Sequence, residues 1–191
     1  RTLNGQAANP TWTPLFDTVQ IQANGITALG TLAIGVIAIA PSDPDVVYIG
    51  TGEQLTGYFG SGLYRLDNAT QANPTLVGPI NPNADYAGFV TSTFTFRAIS
   101  QILVHPTAPG TIFVSTASGG GGITTHNGTN PPLVFPPLGL LGLYRSTNAT
   151  AAADAVTFAK LAITDASIVN NDISDMVLDP SDATANTLIL W

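Results

Sequence analysis

The sequence predicts an all-β fold built from repeated four-stranded antiparallel units, and three observations carry that reading. The stretches "IAIAPSDPDVVYIGTGE", "ILVHPTAPGTIFVSTAS" and "MVLDPSDATANTLILW" share one plan: an apolar run ending at a proline (Pro41, Pro106, Pro180), a small polar turn, and a second β-rich run. The tetrapeptide Gly-Leu-Tyr-Arg occurs twice, at Gly62–Arg65 and Gly142–Arg145, each time followed closely by Asn-Ala-Thr. No window of the chain shows a sustained helical period.

In chain order, residues 10–17 ("PTWTPLFD") read as an orphan outer strand. A first complete unit covers 36–80, with strands predicted near 36–40, 46–51 and 62–66 and a fourth run at 74–80. A second covers 101–163, with strands near 101–105, 111–116 and 142–146 and an insertion at 117–141. Residues 174–191 open a third unit that stops inside its second strand. Each proline ends a first strand because it cannot donate to a sheet ladder. The Ser, Asp and Ala residues after it suit tight turns, and the Val, Ile, Tyr and Phe runs beyond favour strands. Such units, with continuous apolar runs in their first strands, predict blades of a β-propeller, about two and a half of them. Two and a half blades leave sheet edges open, so the remainder of a longer polypeptide or a protein partner is expected to cover them.

Composition narrows the function. The chain has 191 residues, a net charge of −7, 45% hydrophobic and only 9% charged residues, with Lys160 its single lysine. This balance argues against nucleic acid as a partner, because binding it needs clustered cations. The longest uncharged apolar run, "ITALGTLAIGVIAIA", falls short of a membrane span. Without cysteine there are no disulfides or thiolate metal sites. Few lysines with abundant Thr, Asn, Gly and Pro fit a secreted or cell-surface protein, and sequons stand at Asn68, Asn127 and Asn148.

"IAIAPSDPDVVYIGTGE…GSGLYRLDNAT" resembles the BNR, or Asp-box, propellers: sialidase-like folds, sortilin-type ectodomains and xyloglucanase-type glycoside hydrolases. In that family the third strand runs into a Ser-x-Asp-x-Gly-x-Thr-Trp turn. Ser146-Thr147-Asn148-Ala149-Thr150, with Thr157-Phe158, looks like a degenerate copy, and Leu66-Asp67-Asn68-Ala69-Thr70 a more degenerate one. The aromatic that closes the box matches Trp12 and Phe158, with Leu76 in the unit between. At equivalent blade positions, Arg65 and Arg145 are expected to be structural.

The resemblance implies two chemistries, and the residues fit neither well. A sialidase site needs three arginines, yet setting aside the repeated pair leaves Arg1 and Arg97. A xyloglucanase-type site needs two opposed aspartates, but the position after Thr51 holds Gly52-Glu53. Glu53 is therefore the one catalytic candidate, and a lone carboxylate at a strand end more often serves as a turn or ladder partner. Asp43/Asp45 and Asp179/Asp182 are explained as turn residues, and Asp172/Asp175 show no calcium-loop spacing. His105 and His126 are unpaired in sequence, and the glycines at 119–122 lack the Lys-Ser/Thr of a phosphate loop. No metal or cofactor is expected.

Three insertions remain as binding surfaces, since loops on a rigid scaffold carry recognition. They offer Tyr58 and Phe59, then Tyr86, Phe89, Phe94 and Phe96, then Phe135; Tyr58, Phe59, Tyr86 and Phe135 are the binding candidates. Aromatics of this kind stack on sugars or anchor a protein partner, unless they pack back on their own blade. The function expected is that of an extracellular, non-catalytic propeller acting as a binding, interaction or structural module. The alternatives are a carbohydrate-active hydrolase of the xyloglucanase-like type and a subunit of an extracellular filament or surface assembly.

Overall fold

The computed structural model of the chain describes residues 1–15, 33–54, 60–86, 89–118, 139–163 and 171–191. The fold is all-β. Strands β1 (Ile34–Ala40), β2 (Asp43–Thr51), β3 (Leu63–Asp67) and β4 (Thr75–Ile80) form one antiparallel sheet in that order. A hairpin, β5 (Asn83–Tyr86) with β6 (Phe89–Ser92), leads to a second sheet of β7 (Arg97–His105), β8 (Ala108–Ser118), β9 (Gly142–Ser146) and β10 (Ala159–Lys160), again in chain order. Strands β11 (Met176–Leu178) and β12 (Leu188–Leu190) pair alone. All sheets are open, and among the described residues no helix is long and apolar enough to cross a membrane.

The repeat is preserved in register. Val47 faces Ile39 across the first pair of strands, as Ile112 faces Val104 in the second sheet and Leu188 faces Leu178 in the third unit. Both four-stranded sheets carry ladder irregularities at matching places: Ile34/Val36 and Ile39/Ala40 in one, Ile99/Gln101 and Val104/His105 in the other. Pro41 and Pro106 therefore occupy the same turn position, as the sequence predicts, and Tyr64 and Tyr144 the same position on the third strand.

Alternation along these strands sorts side chains onto two faces. On one face of the first sheet, Tyr48 and Leu63 enter a core shared with Ile102, Val104, Ile112, Val114 and Tyr144 of the second. The second sheet's opposite face offers Leu103, Phe113 and Leu143 to Met176, Leu178, Leu188 and Leu190. The first sheet's other face packs Ile49, Tyr64 and Leu66 against Leu15, Val47 and Leu76. Among the described residues the core clusters thus join each unit to its neighbours in the chain, in one repeated sense. Tyr48 sits at such a junction, its hydroxyl donating to Pro109 O at 2.7 Å, and burial pushes that phenol's pKa up.

Every letter of Gly-Leu-Tyr-Arg has a place in this scheme. Gly62 and Gly142 take φ of +108° and +141°, where a side chain is strained. Leu63 and Leu143 are buried toward the following unit, and Tyr64 and Tyr144 toward the preceding one. Residues 10–15 correct the expected outer strand: they join no sheet, and residues 16 and 17 lie outside the described residues. Pro10 and Pro14 lack ladder donors, and one strand-like bond remains, Thr13 N to Arg1 O at 2.8 Å. Trp12, matched by sequence to the buried-side Phe158, is 68% exposed because nothing described here lies over it.

Candidate functional site

Two edges of the sheets differ in character. At one, the first-to-second and third-to-fourth links hold most of the fixed polar groups. Asn148 is the centre of the second unit's turn: its Oδ1 accepts from Ser146 Oγ (3.1 Å), Thr157 N (3.0 Å) and Thr157 Oγ1 (3.3 Å), and its Nδ2 donates to Ala155 O (2.9 Å). This is the turn that resembles an Asp box in sequence, with an amide in the carboxylate's place. Asn4 does the same work near the start of the chain, accepting from Thr2 Oγ1 (2.7 Å) and Thr11 N (2.9 Å). Asn68 occupies the matching place in the first unit at φ +56°, but there Asp45 takes over, receiving Thr70 N, Thr70 Oγ1 and Gln71 Nε2. Those bonds hold the Asp45 carboxyl below its ordinary range, the Thr70 hydroxyl first among them. Of the sequons described, Asn68 is exposed, whereas the Asn148 amide is spent inside its turn.

The arginines grip these turns. Arg65 is buried, and its Nη1 donates to Ala149 O (2.5 Å) and Ala151 O (2.8 Å) of the second unit's turn. Its Nε and Nη2 fork onto Asp67 at 2.6 and 2.8 Å. Arg1 makes the same reach into the first unit's turn, donating to Ala69 O (2.7 Å), Gln71 O (2.5 Å) and Ala72 O (3.1 Å). The sequence reading missed Arg1 as a member of this series. The signal was present as Arg-x-x-Asn, which recurs at Arg1–Asn4, Arg65–Asn68 and Arg145–Asn148.

Leu3 stands where Asp67 stands in the first unit, and Arg1 Nε is buried without a hydrogen bond. A Leu3→Asp variant is expected to complete the fork and raise stability by about 1 kcal/mol. Leu3 is 68% exposed, so little packing is lost. A thermal midpoint equal to or below that of the parent chain would refute the assignment.

The other edge carries the second-to-third links and the links between units, because in a four-strand meander these leave on one side. The strand ends that flank residues 52–62, 81–96, 119–141 and 161–175 all lie there. The base of each second-to-third loop is stapled alike: Thr51 Oγ1 donates to Gly62 O (2.6 Å) and Thr116 Oγ1 to Gly142 O (3.2 Å), both threonines being fully buried. Glu53 lies just past Thr51, half-buried and with its own polar interaction. Arg97 begins β7 nearby; its buried guanidinium donates from Nε to Gly139 O at 2.6 Å. Burial lowers its pKa, while Asp172 and Tyr144 oppose that shift. Asp172 Oδ1 accepts from Ser118 N (2.7 Å) and Ser118 Oγ (2.9 Å), capping the end of β8.

The binding candidates distribute unevenly. Tyr58, Phe59, Phe135 and Asn127 lie outside the described residues, as does His126. Tyr86 ends β5 in the hairpin on the open edge. Phe94 and Phe96 pack back instead, being 0% and 6% exposed. Asp172 and Asp175 are not a pair, since Asp175 Oδ1 accepts from Gln101 Nε2 (2.7 Å) and Met176 N (2.8 Å). Asp182 is a turn residue, receiving Thr184, Asn186 and Thr187, with Thr184 foremost in drawing its carboxyl far below the ordinary range. His105 bridges units through Nε2 and Thr184 O at 3.3 Å. Among the described residues no three His, Cys, Asp or Glu side chains cluster to hold a metal. No known family model, curated protein or solved structure matches the chain.

Proposed function

We propose that these units are blades of an Asp-box-type β-propeller and that the chain acts as a non-catalytic binding and structural module outside the cell. The observation that carries this reading is the division of labour between the two edges. Polar groups on the turn edge are spent on holding units together, while the connections that carry Tyr58, Phe59, Tyr86 and Phe135 in sequence leave from the open edge. Loops displayed together on a rigid scaffold are the usual form of a recognition surface. The low charge and the Thr- and Asn-rich composition support an extracellular or cell-surface setting. Protein and carbohydrate are the ligand classes that Tyr58, Phe59, Tyr86 and Phe135 suit.

The competing reading, a xyloglucanase-like hydrolase, rests on Glu53. Incubation of the chain with xyloglucan and with a sialoside is expected to release no reducing sugar or sialic acid above the buffer rate. Turnover that disappears in Glu53→Gln would establish the enzyme instead. Binding without turnover on an immobilised glycan and protein panel is the positive result expected.

A further inference from the structure

We infer that the chain associates head to tail with a second copy of itself, the β11–β12 face of one copy seating against the β1 face of the next. Two independent sets of groups lead there, one apolar and one polar.

The apolar set is two exposed faces. Ile37 and Ile39 on β1 are 62% and 61% exposed; Val177 and Ile189 on β11 and β12 are 38% and 49% exposed. Register makes Ile37 and Ile39 the equivalents of Ile102 and Val104, which are buried in the core shared with the first sheet's Tyr48. It makes Val177 and Ile189 the equivalents of Leu103 and Phe113, which pack on Met176 and Leu178. The residues left in water at the two faces are therefore the two halves of a contact that the chain already makes twice internally. A second copy brings the missing half of each.

The polar set is a donor and its acceptors. Arg145 holds the position of Arg65 but is exposed, and its guanidinium makes no hydrogen bond among the described residues. The turn at Asn4 holds the position of the turns that Arg1 and Arg65 grip, and its Gly5 and Ala7 carbonyls, equivalent to Ala149 and Ala151, accept no hydrogen bond from the described residues. Arg145 of one copy reaches Gly5 and Ala7 of the next in the same arrangement that stacks Ile189 over Ile37. One docking pose satisfies both sets, and an interface of this heterologous kind closes into a ring or runs on as a filament. Two copies of these 191 residues bring about six unit positions, inside the 4–8 of closed propellers, so these residues by themselves are expected to close as a dimer. Closure rests on the propeller reading above; the contact itself does not.

The chain has no cysteine, which allows a direct test. Ile37→Cys and Ile189→Cys chains, mixed and mildly oxidised, are expected to form a disulfide-linked pair, while neither alone cross-links with itself. The mixed pair should weaken by roughly ten- to a hundredfold in Arg145→Ala, with the monomer's unfolding midpoint unchanged. Cross-linking of either single variant with itself, or a 19.7 kDa monomer by light scattering at high concentration with no mixed product, overturns the proposal. The double variant Ile37→Cys/Ile189→Cys should stop at closed dimers. A ladder of longer species instead would uphold the contact and overturn both closure and the propeller reading.

Discussion

Replacing Arg65 by alanine is expected to destabilise the chain by about 3 kcal/mol, while Arg145→Ala at high dilution leaves the midpoint unmoved. The two residues share a tetrapeptide and a strand position, so the contrast isolates what the guanidinium does when its socket is filled. Arg65 is 4% exposed and makes four hydrogen bonds, two across the junction to Ala149 O and Ala151 O and two to Asp67. Alanine removes charge-assisted bonds and strands a partly buried carboxylate and a buried carbonyl, and it is the stranded groups that make such losses large. Asp67 keeps 31% of its side chain in water, which holds the cost below that of a fully buried pair. Arg65→Lys should recover only part of it, because an ammonium cannot fork onto Asp67 and span two carbonyls at once. Urea unfolding of the three variants measures this; equal losses at 65 and 145 would remove the clamp from the account of the fold.

Phe94→Ala is expected to cost more, about 3–5 kcal/mol. The ring is fully buried in the core between the two sheets. It stands edge-on to Tyr144, with centroids 5.7 Å apart at 72°, and to Phe158 at 5.0 Å and 79°. Its backbone is fixed by Asn81 Oδ1, which accepts from Phe94 N at 2.8 Å, so the segment cannot simply collapse into the space left. Phe94→Leu keeps most of the volume and loses the two ring pairs, so it should cost about 1–3 kcal/mol. A Phe94→Ala chain that unfolds at the parent's urea midpoint would show that this residue belongs to the binding surface and not to the core.

The architecture was legible in the sequence where it depends on repetition. Prolines ending first strands, β-branched second strands and Gly-Leu-Tyr-Arg all reappear in equivalent registers, because each reports a backbone constraint that acts locally. Three things were not legible. Arg1 escaped because the tetrapeptide hid the longer-range pattern Arg-x-x-Asn, whose spacing reflects a grip on the next unit and not on its own strand. Phe94 and Phe96 look in sequence like any loop aromatic; the tether at Asn81 and the packing on Tyr144 and Phe158 hold Phe94 inward. Trp12 was matched to Phe158 by its place in the box, yet burial at that position depends on which strands lie over it.

The buried threonines at the loop bases carry a consequence for how such a chain can change. Thr51 and Gly62 are separated by a short loop, Thr116 and Gly142 by one more than twice as long, yet the hydroxyl-to-carbonyl bond beneath each is the same. The stem, not the loop, sets where the third strand begins. Lengthening a flexible loop costs only about 0.6 kcal/mol per doubling, since the entropy of closure grows with the logarithm of its length. Changes above the threonines can therefore leave the arginine grips, the paired glycines and the asparagine turns in place. The plan thus admits new loop sequences above its stems at nearly constant stability.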